Sequence, residues 1–148
     1  FFAFIDNPSP TLVLDKDGRV GVGGIAPSYD LHVDGTIAAP VFTTVSDKRA
    51  KEAVVQLKTA AALAQVVSLD PVSFRYKPGF GVSNVTAAHL GFIAQDVEHV
   101  IPEAVTTAAS GIKSVSYDTL IPVLVGAMQE LAAQLALLRT ASQRPTTP

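Results

Sequence analysis

Tyr117-Asp118-Thr119-Leu120-Ile121-Pro122-Val123-Leu124-Val125-Gly126-Ala127-Met128-Gln129-Glu130-Leu131-Ala132-Ala133-Gln134-Leu135-Ala136-Leu137-Leu138 is the most regular stretch of the chain. Within it Tyr117, Ile121, Leu124, Met128, Leu131, Leu135 and Leu138 recur at spacings of 4, 3, 4, 3, 4 and 3. A heptad seam kept over three heptads predicts a helix over residues 117–139. Such a helix can dock on the core of its own domain, or it can bundle with identical chains. The strict alternation favours the bundle, because it is narrower than the stripe of a helix lying on a core. Leucine at both core positions does not fix the number of strands. Gly126 is a mild local weakness in the helix.

Upstream the pattern is mixed. Residues 50–67, rich in Ala, Leu, Lys and Gln, predict helix over much of their length. Pro71-Val72-Ser73-Phe74-Arg75-Tyr76 reads as a strand with Val72, Phe74 and Tyr76 on one face. Residues 77–84 form a turn and loop. His89-Leu90-Gly91-Phe92-Ile93 reads as a second strand, leading into a short helix that carries Val97, Val100 and Ile101 and stops at Pro102.

Nearer the start, Thr11-Leu12-Val13-Leu14, an Asp17-Gly18 turn and Val20-Gly21-Val22-Gly23 predict a hairpin, with a third strand at residues 29–33. So few, glycine-rich strands cannot bury a core alone and need neighbours. The fold class is therefore α+β: a short Gly-rich β segment, then a small mixed α/β domain ending in a long coiled-coil helix. The chain opens on Phe1 rather than Met, and we read it as a fragment of something longer. The tail from Thr140 to Pro148 is expected to fray.

Composition narrows the function. Hydrophobic residues make up 48% and charged residues 16%, which is globular and too apolar for disorder. The net charge of -2 offers no basic stripe for nucleic acid. Without cysteine the chain has no disulfide and no thiolate site. His32, His89 and His99 lack metal-ligand spacing, so neither a metal nor any other cofactor is expected. The most apolar run, residues 120–138, is interrupted by Gly126, Gln129, Glu130 and Gln134, and predicts no membrane span.

The chemistry-bearing stretch is Val45-Ser46-Asp47-Lys48-Arg49-Ala50-Lys51, a hydroxyl beside a cationic cluster. Serine needs a base, and lysine can be one only if its pKa falls from about 10.4 toward 7. A shift of roughly three units costs about 4 kcal/mol, which a packed, water-poor interface can supply and a loose loop cannot. Five residues apart, Ser46 and Lys51 point to opposite faces of a strand and lie about 140° apart on a helix. They meet only if the chain bends between them. The plain alternative is a helix N-cap at Ser46 or Asp47 with a solvated basic first turn.

Four blocks carry a family resemblance. Ser46-Asp47-Lys48-Arg49-Ala50-Lys51-Glu52 resembles the S-D-x-R-x-K-E signature of the intramolecular-chaperone, self-cleaving domains that end phage tail spikes and tail fibres. Leu69–Tyr76 resembles their L-x-P-V-S-F-x-Y strand. His89–Val97 and Ile101–Val105 resemble H-x-G-x-I-A-Q-E-V and P-E-x-V, with Asp96 for the usual Glu. Tyr117–Leu124 resembles Y-D-x-L-x-P-x-L. Ahead of these, Val20–Pro27 and Leu31–Ile37 look like the V-G-I-G-x-x-x-P and L-x-V-x-G-x-I repeat that precedes the domain in fibre proteins.

The resemblance implies a homotrimer of this serine endopeptidase family that folds the upstream fibre in register and then cuts its own chain between Val45 and Ser46. Ser46 would be the nucleophile and Lys51 its base, with positioning roles open to Asp47, Arg49, His89 and Gln95. Residues 1–45 would be the end of the β-rich fibre and residues 46–148 the chaperone. Its partners would be copies of itself, the upstream fibre and other virion tail proteins, in a tail fibre or spike assembled in the host cytoplasm. A non-cleaving structural terminus with the same fold is the alternative. A similar self-cleaving module of a membrane-bound transcription factor is a third, disfavoured by the fibre-like repeat and the interrupted apolar run.

Overall fold

The computed structural model describes residues 11–143 except Gly81 and Ser83. The readings on Phe1, on the loop at Gly81 and Ser83 and on the tail from 144 onward lie outside the described residues. The chain divides into two compact units: Phe1–Ser46, Val72–Gly91 and Thr107–Ile112 form one, and Asp47–Pro71, Phe92–Thr106 and Lys113–Pro148 the other.

In the first unit, β1 (Leu12–Leu14) and β2 (Val20–Val22) form the expected hairpin, antiparallel with Val13 opposite Gly21. Asp15 builds its turn: one carboxylate oxygen accepts from the backbone N–H groups of Asp17 and Arg19, each at 2.9 Å, and Gly18 takes the left-handed φ of +81° that the turn requires. β3 (Leu31–Val33) pairs with β2 in parallel, Gly21 opposite His32. A Cβ on Gly21 would collide with the Ile25 carbonyl oxygen, so the return of the chain over β2 depends on glycine there. β4 (Val72–Phe74) and β5 (His89–Gly91) pair antiparallel with Phe74 opposite His89.

The second unit holds three helices: α1 (Thr59–Val67), α2 (Ala94–Val100) and α3 (Tyr117–Ser142). A single turn at Pro102–Ala104 follows α2, and β6 (Val105–Thr107) pairs with β7 (Lys113–Val115) ahead of α3. Ala62, Val97, Ile101, Ala104, Leu120 and Val123 make the core, edged by Val66, Leu69, Phe92, Val100, Val105 and Val115. Burying each large member stabilises by about 1.5–3 kcal/mol.

Polar contacts at its margin fix the packing. Gln65 donates to the Val100 carbonyl at 3.3 Å, and the Ser116 N–H donates to the Ala104 carbonyl at 2.8 Å. Lys113 and Glu98 form an ion pair at 2.7 Å. α1 has no side-chain cap of its own, but Thr59 in its first turn donates to Glu130 of α3 at 2.6 Å. That contact, and a second from Gln134, hold the Glu130 carboxyl below its usual range.

The helix expected from Ala50 starts nine residues later. Asp47 caps only a single 3-10 turn at Lys48–Ala50, and Lys51 returns to extended backbone. Ala53 sits at φ +50°, and the β-branched pair Val54-Val55 follows. A non-glycine residue in that region costs about 1–2 kcal/mol. Gly126 is a correction of another kind. A Cβ there would lie 3.0 Å from the Ala62 Cβ, so the glycine lets α1 and α3 approach closely rather than merely weakening α3.

The long helix docks by a face other than its seam. Leu120, Val123, Gly126 and Ala127 are the buried residues of α3, while all seven seam residues are 45–69% exposed. At about 100° per residue the two faces are centred roughly 90° apart. The reading of the seam as the surface that docks on its own core is thereby overturned. By length and composition alone α3 is also apolar enough to cross a bilayer, because one charged residue, Glu130, does not disqualify its apolar window.

Candidate active site

Between Ser46 and Lys51 the chain makes a single 3-10 turn at Lys48–Ala50, N-capped by Asp47 as in the plain alternative, and Asp47 and Arg49 brace it. Asp47 accepts from the Arg49 backbone N–H at 2.8 Å and from its Nε at 3.0 Å, while the second carboxylate oxygen accepts from Nη2 at 2.7 Å. The Ala50 N–H donates to the Asp47 carbonyl at 3.0 Å and the Lys51 N–H to the Lys48 carbonyl at 3.1 Å. The Arg49 guanidinium, then its backbone N–H, hold the Asp47 carboxyl below the usual carboxylate range, and Asp47 raises Arg49 in return. Every residue from Ile37 to Lys58 is exposed, Ser46, Lys48 and Lys51 among them. Dry surroundings for a lysine base therefore have to come from outside this stretch of chain.

The other candidates separate. His89 stacks on Phe74 with ring centres 5.9 Å apart and meets Tyr76 edge-on at 5.1 Å. Its Nε2 is buried without a hydrogen-bond partner, a state that calls for a reason in a native fold. Gln95 lies exposed in the first turn of α2. Tyr117, the first seam residue, also works within its own chain: its hydroxyl accepts from the Phe92 N–H at 3.3 Å, with the two rings 6.2 Å apart. Among the described residues no group of His, Cys, Asp and Glu is arranged to hold a metal ion.

Sequence reasoning missed Ala53 and the Thr59–Glu130 bond. Nothing in a sequence marks a left-handed alanine, and the bond joins residues 71 positions apart. For Gly126 a signal existed, a glycine one turn from buried positions on a long helix.

Residues 46–106 match the sequence model of a peptidase family described as "Chaperone of endosialidase". The match opens at Ser46 and supports a kinship of residues 46–106, under half of the chain, with that family. Two relatives are regulatory factors. A Caenorhabditis elegans protein named myelin regulatory factor homolog 1 is 35% identical over 80 residues, covering 51% of this chain. A Dictyostelium discoideum protein named myelin gene regulatory factor-like A is 28% identical over 134 residues, covering 80% of it. The matched stretches span only 8% and 14% of those two proteins.

Proposed function

We propose that this domain assembles its chain as a homotrimer and then cuts that chain once, between Val45 and Ser46. The observation that carries the cut is the Asp47–Arg49 turn, which bends the backbone between the nucleophile and the base. Lys51, as the neutral amine, takes the proton from the Ser46 hydroxyl. Because the hydroxyl belongs to the residue after the scissile bond, its oxygen attacks the Val45 carbonyl carbon through a five-membered ring. Collapse breaks the C–N bond, Lys51 returns the proton to the Ser46 nitrogen, and Val45 is held as an ester on Ser46. Water then hydrolyses the ester, leaving a Val45 carboxylate and a free amine and hydroxyl on Ser46. Assembly supplies the dry surroundings that the base needs.

The assembly half rests on the exposed seam from Tyr117 to Leu138. The upstream piece is read as the end of a phage tail fibre or spike, supported by the glycine-rich three-stranded sheet of β1 to β3. The names of the two relatives support a second setting, the same module within a regulatory factor. Intact-mass measurement of the wild type beside Ser46→Ala is the test. Two pieces of 45 and 103 residues, the latter 148 less 45, are expected from the wild type and one from the variant. Unprocessed wild type would remove the cut and leave the chaperone role standing.

A further inference from the structure

Between the turn at Lys48–Ala50 and α1 runs an arm, Lys51–Lys58, that the domain does not cover. Val54 is 73% exposed, Val55 83% and Leu57 53%. Within the arm lies Ala53, at φ +50° the only non-glycine residue of positive φ among the described residues. Left-handed backbone is disfavoured for alanine because its Cβ crowds the following carbonyl oxygen. Conformations of this kind gather at sites where function uses them. Ala53 lies two residues beyond Lys51.

The two sides of Ala53 are held differently. Downstream the arm ends on α1, where Ala62 packs against Gly126 of α3 and Thr59 bonds to Glu130. Upstream every residue back to Ile37 is exposed, the turn at Lys48–Ala50 included. A change of backbone angle at Ala53 is therefore taken up by the upstream side, which carries Lys51 and the turn. Returning φ from +50° to the ordinary region near −60° is a rotation of roughly 110°. Asp47 and Arg49 brace the turn within itself, but neither fixes how it faces from α1.

We propose that Ala53 is a positioning residue for the cut: its left-handed backbone aims the Ser46–Lys51 turn from α1 so that the surroundings that dry Lys51 can close over it. This inference rests on the cutting reading above. The aim is set by backbone conformation and not by a side chain, since the Ala53 methyl group is itself exposed. Cutting should then follow the ease with which residue 53 adopts positive φ. Asparagine adopts it more readily than alanine, and a β-branched residue least.

The test compares full chains carrying Ala53→Asn or Ala53→Val with the wild type, by intact mass over time. At neutral pH the Asn chain is expected to cut at least as fast as the wild type. The Val chain should cut about tenfold more slowly or worse, because a lysine left in water is seldom neutral there. Melting temperatures should match, since residue 53 is exposed and buries no side chain. Near pH 10.4, where a solvated lysine is half neutral, the Val chain should come within about threefold of the wild type. A merely structural lesion would leave it slow at both pH values. A Val chain as fast as the wild type, an Asn chain as slow as the Val chain, or a gap that persists at alkaline pH would each overturn the role of Ala53 and leave the cut standing. A wild type that does not cut would overturn the reading above and this inference with it, so the two failures are distinguishable.

Discussion

The core between α1, α2 and α3 and the arm from Lys51 to Lys58 lie in one compact unit yet are satisfied in opposite ways. In the core, Leu120 is 4% exposed and Val97 1%, and small residues at 62 and 126 let two helices meet closely. In the arm and along the seam, side chains of the same chemistry stand largely in water. The difference separates the apolar surface that one chain covers by itself from the apolar surface it leaves open. α3 belongs to both, since one face closes the core and a second face, a quarter turn away, remains open.

The largest effects should come from opposing the two faces directly. Leu131→Asp should abolish assembly at micromolar concentration while leaving most helical signal in circular dichroism, because α3 stays docked through Leu120 and Val123. Leu120→Ala should instead lower stability by about 2–5 kcal/mol, whether or not the chain is assembled. Cutting should fail in assembled-deficient Leu131→Asp; monomers that process at the wild-type rate would show that one chain activates its own base.

Gly126→Ala comes next. The gain of about 1 kcal/mol in helix propensity is opposed by about 1–3 kcal/mol of overpacking against Ala62. Net destabilisation by thermal melting is expected, with recovery in Gly126→Ala combined with Ala62→Gly. A melting temperature raised by the single change would show that α1 and α3 have room to spare.

The smallest effect is that of pH on the bend. The Asp47 carboxyl is held below the usual carboxylate range by Arg49, so its contribution is present above the ordinary carboxylate pKa and fades as pH falls through the lowered value. Glu130, lowered by Thr59 and then Gln134, behaves in the same way. Titration of Asp47 by NMR should give a midpoint below the ordinary carboxylate value, and Arg49→Ala should bring it back up. Processing should slow several-fold in Asp47→Ala if the turn positions Ser46 and Lys51.

Local order fixed much of this protein in the sequence. The Asp17-Gly18 hairpin, the strands at Val72–Phe74 and His89–Gly91, the short helix stopped at Pro102 and the long heptad helix all rest on neighbours within a few positions. The N-cap at Asp47 was legible too, as the plain reading of Ser46-Asp47 before a basic turn, and it caps the turn at Lys48–Ala50. The parallel pairing of β3 with β2, the start of α1 at Thr59 and the buried, unpartnered His89 Nε2 did not follow. Each depends on residues distant in the chain. The same holds for α3: spacing identified an apolar seam, but only the packing of Ala62 against Gly126 decided that another face would be buried. Hydrophobic periodicity records which side chains avoid water, and tertiary contact decides which of them one chain can cover.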